Sequence, residues 1–278
     1  NMNNIISNIL DILDSQKVLN ILKKASKDII LPFFGKLKSN QIRTKKRTDD
    51  FVTIADQNSE EFITSELMKI FPNSSVLGEE AISNNPSIKQ KLLKSKLFWT
   101  CDPIDGTFNY VNGLKNFCTM VSLCYEKKPI AGWMYFPIYG IGIISNLKHG
   151  CLIIKEDQTV IVKRINGRVK YDRFNGGELL KNVFNDLYPN KNIENYYSDR
   201  NVRCAGYESF CLANGKIDYM YHKFLTPWDH APVDILCNSS GCKVGLLPNG
   251  NPYLCNEKRE LLVTGSKESW NIISKYLI

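Results

Sequence analysis

The sequence predicts a layered α/β or α+β fold, and three observations predict it. Apolar residues recur at helical spacing through the first 70 residues, short apolar runs typical of strands crowd the middle, and helix-like and strand-like segments alternate towards the end. At 278 residues and 43% hydrophobic composition, the chain can bury a large core as one domain or as two closely packed halves.

Ile5, Ile6, Ile9, Leu10, Ile12 and Leu13, then Val18, Leu19, Leu22, Ile29 and Ile30, make the first 34 residues helical, with a break near Asp14 and Ser15. A basic loop with Arg43, Lys45, Lys46 and Arg47 follows. The next helix runs from Ile54 to Ile70, because Phe62, Ile63, Leu67 and Ile70 share one face and Pro72 stands just beyond. Strands are expected over Ser75 to Gly78, Leu97 to Cys101, Thr119 to Tyr125, Ile130 to Phe136 and Ile141 to Ser145, with two more between Gly150 and Arg164. After them come a helix over Leu179 to Leu187, a strand over Ile217 to Tyr221, a helix over His230 to Ser239, a strand over Leu261 to Thr264 and a C-terminal helix. A loose boundary near residue 150 divides the chain into halves 1–150 and 151–278.

Composition narrows the function classes. Aromatic content of 11% and the lack of Gly/Ser or Pro tracts exclude a mainly disordered chain. Nine scattered cysteines without a C-x-x-C spacing fit a reduced, cytoplasmic protein in which they act as small hydrophobes. No signal-peptide pattern opens the chain, and no run of 18 uncharged apolar residues suggests a membrane span. The net charge of +8 favours anionic ligands. Basic stripes interleaved with aromatics are missing, so nucleic acid is not an expected partner, and the basic cluster also fits a plain solvated loop.

The most informative segment is Trp99-Thr-Cys-Asp102-Pro-Ile-Asp105-Gly106-Thr107, an apolar strand ending in two acids. Pro103 fixes its own backbone angle and Gly106 permits close approach, so the two carboxylates can be held towards one point. They would repel unless a cation lay between them, and Mg²⁺ suits carboxylates, water and phosphate. The N–H groups of Gly106 and Thr107, opening a helix, could meet phosphate oxygens. Taken alone, the string also fits a turn with a capping aspartate. Gly78-Glu79-Glu80 places acids after another strand, and Trp228-Asp229-His230-Ala231 an acid at a helix start; alone, the first fits a solvated turn and the second an N-cap. Three histidines and scattered cysteines argue against a Zn²⁺ or iron centre.

Together, G-E-E, D-P-I-D-G-T and W-D-H-A in this order resemble the inositol monophosphatase family of lithium-sensitive, Mg²⁺-dependent phosphatases. The similarity extends to Asp50-Phe51-Val52-Thr53-x-Ala55-Asp56 and to Gly215-x-Ile217-Asp218, so it covers nearly the whole chain. The resemblance implies an αβαβα sandwich of the sugar-phosphatase type and a homodimer. It makes Glu79, Asp102 and the carbonyl of Ile104 ligands of a first Mg²⁺, with Asp102 bridging to a second that Asp105 and Asp229 complete. A third, weaker ion would lean on Glu79 and water. Thr107, bonded to Asp56, would orient the attacking water, with Glu79 accepting its proton. Gly106, Thr107 and Lys45 would bind the phosphate, while Glu80, Asp49 and Asp50 would be supporting or solvent-facing.

The chain departs from the pattern at the substrate wall. His222, followed by Lys223, stands where inositol-preferring members place a glutamate, and the segment Arg203 to Glu208 is shorter than theirs. His222 is therefore a candidate substrate contact that, with Lys223, could favour a second negative group; both residues also fit a solvent-facing strand end. The expected activity is hydrolysis of a small phosphorylated metabolite, with 3′-phosphoadenosine 5′-phosphate, histidinol phosphate and fructose 1,6-bisphosphate as alternatives to an inositol phosphate. The alternative outside enzymes is an RNA- or protein-binding regulator that keeps the fold.

Overall fold

The computed structural model describes residues 2–45, 48–156, 158–162, 185–186, 189–190 and 202–277. Two helices, α1 (Met2–Ile12) and α2 (Ser15–Ala25), open the chain, and the break between them is chemical: the Asp14 carboxylate accepts the Lys17 N–H at 2.9 Å and caps α2. A short hairpin, β1 (Ile42–Thr44) and β2 (Phe51–Thr53), then leads into α3 (Ile54–Ile70). Thr53 starts α3 by a reciprocal capping box, accepting from the Ala55 and Asp56 N–H groups while the Asp56 carboxylate accepts the Thr53 N–H at 2.7 Å. The hairpin was not expected, because strands of three residues carrying basic side chains give no alternating apolar signal.

Seven strands form the main sheet in chain order: β3 (Ser75–Gly78), β4 (Leu97–Asp105), β5 (Cys118–Tyr125), β6 (Lys128–Phe136), β7 (Ile141–Asn146), β8 (Gly150–Lys155) and β9 (Gln158–Val162). Among the described strands, only β3 and β4 pair in parallel, through a crossover that contains α4 (Glu79–Asn84) and α5 (Ile88–Leu92). A single turn, α6 (Thr107–Val111), joins β4 to β5. The sheet runs on through residue 150, where the sequence suggested a boundary, since β8 pairs with β7 along its whole length. The helix expected over Leu179 to Leu187 falls outside the described residues, save 185–186.

The remaining elements are α7 (Ala205–Ala213), β10 (Tyr219–His222), α8 (Pro227–Ser239), β11 (Lys243–Leu246), β12 (Leu261–Thr264) and α9 (Lys267–Ile273). The three strands form a second antiparallel sheet in the order β10-β12-β11. Five layers result. Val18, Leu19 and Leu22 of α2, with Ile63 and Leu67 of α3, pack on Trp99, Val121, Leu123 and Trp133 of the main sheet. The opposite face, with Phe98, Met120, Cys124 and Met134, meets Leu212 of α7 and Ala231, Val233 and Leu236 of α8, which in turn meet Met220, Val244 and Val263 of the small sheet. Helix α9 closes the stack, its Trp270 lying so near Gly245 that a Cβ there would stand 3.0 Å from the indole. Coverage on both faces explains why the central strands read as almost unbroken apolar runs.

Helix α8, between two sheets, is buried nearly all round, and carries Asp234 inward. Burial pushes that carboxyl up to about 7 against the hydrogen bond from Asn238, so the folded chain holds a proton that the unfolded chain releases near 3.8. Stability is thus fully present below the unfolded value, falls as pH rises through the window between the two, and levels off above it. In Asp234→Asn that loss disappears: the unfolding free energy of the variant relative to the native chain, from urea denaturation, should rise between about pH 4 and about pH 7, by on the order of 4 kcal/mol at most.

Candidate active site

The site is built around an irregularity in β4. Asp102 pairs with Met120 and Asp105 with Cys118, so three steps on β4 oppose two on β5. Pro103 has no N–H to give the ladder, and the strand bulges there. In a regular strand, residues three apart point to opposite faces. The bulge turns Asp105 back, and carboxylate oxygens of Asp102, Asp105 and Asp229 lie within 4.8 Å of one another. The Pro103 carbonyl accepts the Thr119 hydroxyl at 2.9 Å. Gly106 then reverses the chain at φ +85°, with no room for a side chain: a Cβ would meet the Asn116 carbonyl at 3.0 Å and that of Arg203 at 3.1 Å.

Each acid is held from a different element. Asp105 accepts the Gly206 N–H at 2.7 Å and the Ala205 N–H at 3.2 Å, both from the start of α7, and the Cys204 thiol at 3.0 Å. Asp229, in the first turn of α8, accepts the Thr226 hydroxyl at 2.7 Å. Glu79 opens α4 and accepts Lys45 Nζ at 2.7 Å, while the same ammonium lies 2.8 Å from Glu80. Sequence reasoning missed Glu60, whose buried carboxylate accepts the Glu80 and Ala81 N–H groups at 2.7 and 2.8 Å and so anchors the start of α4. The readable signal was Gly78: a Cβ there would fall 2.3 Å from Glu60 Oε1.

So many acids in one place strain the site electrostatically. Burial, then the charges of Glu79, Asp229 and Asp105, raise Asp102 well above the carboxylate range. Burial and Asp229 push Asp105 up to about 7 against the donors from Cys204, Gly206 and Ala205. Glu79 is pushed up to about 8 by burial, opposed by Lys45 and reinforced by Glu80 and Asp229, and Lys45 itself is held in the charged form by Glu79 and Glu80 despite its burial. Asp102 Oδ1 is buried without a hydrogen-bond partner among the described residues, and carboxylate oxygens of Asp102 and Asp229 lie within 4.8 Å of each other. A hard divalent cation answers all of these at once, and an all-oxygen donor set is the one Mg²⁺ selects.

The other expected residues gather round the same cleft of about 550 Å³, lined by Glu79, Asp102, Ile104, Asp105, Gly106, Thr107, His222 and Asp229. Thr107 Oγ1 lies 2.9 Å from the Ile104 carbonyl and 3.2 Å from Asp56 Oδ1, and its one proton serves either acceptor. Burial pushes Asp56 up to about 6 against its bonds from Thr53. His222 stands 3.8 Å from Glu208 and edge-on to His230 at 4.8 Å; burial and His230 push its pKa down to about 3, so its imidazole is neutral. Positive charge at the rim belongs to the exposed Lys223 and to Arg203, which lies over the Phe108 ring at 3.9 Å and pairs with Asp49 at 3.2 Å.

The model of the inositol monophosphatase family matches residues 14–275. The chain belongs to this family. It is 28% identical over 249 residues to a fructose-1,6-bisphosphatase/inositol-1-monophosphatase of Aquifex aeolicus, covering 85% of this chain and 86% of that protein. It is 30% identical to a histidinol-phosphatase of Chlorobaculum parvum, covering 82% and 84%. The fold superimposes on a Thermotoga maritima IMPase with a TM-score of 0.73 at 18% identity, covering 93% and 96%. The layered α/β fold expected from the sequence is the family fold. No described helix is long and apolar enough to cross a membrane.

Glu60→Gln offers an amide where α4 needs two acceptors. One of the Glu80 and Ala81 N–H groups then goes unpaired, which should cost about 1–3 kcal/mol in urea unfolding.

Proposed function

We propose that the chain is a Mg²⁺-dependent phosphomonoesterase acting on a small phosphorylated metabolite. The observation that carries this reading is the convergence of Asp102, Asp105 and Asp229 on one buried point, with Glu79 alongside and an open cleft above. Those four carboxylates and the Ile104 carbonyl are the residues that would hold the metal. Bound there, Mg²⁺ lowers the pKa of water and neutralises charge on the phosphate.

The chain's own residues do the rest. Thr107 Oγ1, donating to Asp56 or to the Ile104 carbonyl, keeps its lone pairs free to accept a hydrogen bond from water and so aims that water at phosphorus. Glu79, at the opening of α4 beside the cluster, takes up the proton that the water gives away. The Gly106 and Thr107 N–H groups, at the start of α6, hold phosphate oxygens, and Lys45, paired with Glu79 and Glu80, is the candidate cation for the phosphate. The family's relatives carry different substrate names; His222, neutral in the fold, brings no charge to this chain's wall, and the exposed Lys223 beside it is what supports a substrate bearing a second anionic group over a bare polyol.

The test is phosphate release from inositol 1-phosphate, 3′-phosphoadenosine 5′-phosphate, histidinol phosphate and fructose 1,6-bisphosphate, with and without Mg²⁺. Turnover should require the metal and fall at least about a hundredfold in Asp102→Asn; no turnover of any of the four, or an Asp102→Asn chain as active as the native one, would remove the reading. Lys223→Ala should raise KM for a bisphosphorylated substrate by roughly three- to tenfold and leave a monophosphate nearly unchanged, the effect of one exposed charge contact.

A further inference from the structure

Two of the nine cysteines, far apart in sequence, meet in the fold. Cys118 is the residue opposite Asp105 in the β4–β5 register, and Cys204 is the N-cap of α7. Both sulfurs face the same oxygen, Asp105 Oδ2, at 3.7 Å from Cys118 and 3.0 Å from Cys204; the three atoms lie within 4.8 Å of one another, and all three residues are buried. A tetrahedral ion with metal–sulfur bonds of about 2.3 Å and metal–oxygen bonds of about 2.1 Å sets sulfur and oxygen ligands about 3.5 Å apart, so both sulfur–oxygen separations need change by about half an ångström or less. Gly206 keeps the concavity open. A Cβ there would lie 2.5 Å from Cys118 Sγ, 2.7 Å from Met120 Sδ and 3.1 Å from Asp105 Oδ2, so a thioether converges on the same spot. Cys204 also lines the cleft, which gives an ion a way in. Cys204 also caps α7, its Sγ accepting the Tyr207 N–H at 3.4 Å, a role that a serine hydroxyl could fill equally well.

We infer that Cys118, Cys204 and Asp105 form a second cation site, for a thiophilic ion of the Zn²⁺ class, distinct in donor chemistry from the all-oxygen cluster beside it. Two sulfurs and a carboxylate select such an ion over Mg²⁺. On binding, two metal–sulfur bonds and one metal–oxygen bond form, and the two thiol protons pass to solvent. Asp105 belongs to both sites. An ion held by the thiols withdraws it from the carboxylate cluster, so Zn²⁺ and Mg²⁺ bind with negative coupling. That coupling rests on the metal-centre reading above; binding of the thiophilic ion does not.

The test uses the full chain, stripped of metal and kept reduced with a phosphine, with Co²⁺ as the probe and Zn²⁺ as its competitor. One equivalent of Co²⁺ should produce a thiolate-to-cobalt charge-transfer band that Zn²⁺ abolishes. The band should be lost in Cys118→Val and in Cys204→Ser and persist in Cys124→Ala, which removes one member of a separate thiol pair, Cys124 and Cys255, 3.5 Å apart. Circular dichroism and Tm establish that each variant is folded; Cys204→Ser keeps a capping side chain and decides the matter alone if Cys118→Val does not fold. No band in the native chain, or a band that survives Cys204→Ser, overturns the site. Excess Mg²⁺ should weaken Zn²⁺ binding at least about tenfold, and an unchanged affinity overturns the coupling. A cysteine-dependent band in a chain that hydrolyses no phosphomonoester leaves this site standing and removes the phosphatase reading instead.

Discussion

Mutual repulsion among buried carboxylates is the constraint on which the rest of this structure depends. Taking one carboxylate out of water without a partner costs several kcal/mol, and here four gather around the end of one strand. The fold meets that cost with polar groups supplied from distant parts of the chain. Backbone N–H groups at the start of α7 reach Asp105 across about a hundred residues of sequence, the Thr226 hydroxyl reaches Asp229, and Lys45, carried on the β1–β2 hairpin, reaches Glu79 and Glu80. The main sheet, α7 and α8 therefore meet at the cleft for an electrostatic reason as well as an apolar one. What those donors leave over, an unpartnered Asp102 oxygen and carboxylates within 4.8 Å of one another, is what a cation would satisfy.

How much of this was legible follows from which signals are local. Helix α3 and strands β3 and β12 stand where periodicity placed them, because a helix face or an apolar run bounded by Gly and Pro is written in adjacent residues. The acids were legible because Pro103 and Gly106 advertise a special backbone around Asp102 and Asp105. Glu60 was not, since a glutamate on a helix reads as solvated unless one knows that α4 begins above it. The Cys118–Cys204 juxtaposition was invisible for the same reason: 86 residues separate the two thiols, and only the β4–β5 register and the α7 cap bring them to one oxygen. Helix α7 went unexpected because it is half-buried on most sides and shows little amphipathic contrast.

The cleft divides into a floor that cannot change and a wall that can. On the floor, a Cβ at Gly78 or Gly206 would fall under 3.0 Å from a neighbouring side chain, and Gly106 holds a positive φ against two carbonyls, so a substitution there forces the site to shift. The wall is carried by β10, an edge strand of the small sheet, and by the segment after it, where Lys223 and Phe224 are exposed. Substitutions at such positions cost little stability. A fold arranged in this way can keep one cation cluster while its substrate wall varies, which fits the different substrate names among the relatives of this chain.

The same cluster ties stability to cation binding. Asp102, Asp105 and Glu79 all hold protons more tightly in the folded chain than they would unfolded. Their contribution is therefore fully present below the unfolded carboxylate range near 4 and is lost as pH rises towards about 7 to 8. A cation that binds the ionised cluster competes with those protons and acts in the opposite sense, stabilising the fold most where the carboxylates are charged. Protons and the divalent ion thus serve as alternative counter-charges for one set of acids. A cluster too repulsive to be comfortable when ionised and bare would, by that fact, favour a cation, and the destabilisation tolerated in the cation-free fold would then become affinity for the ion.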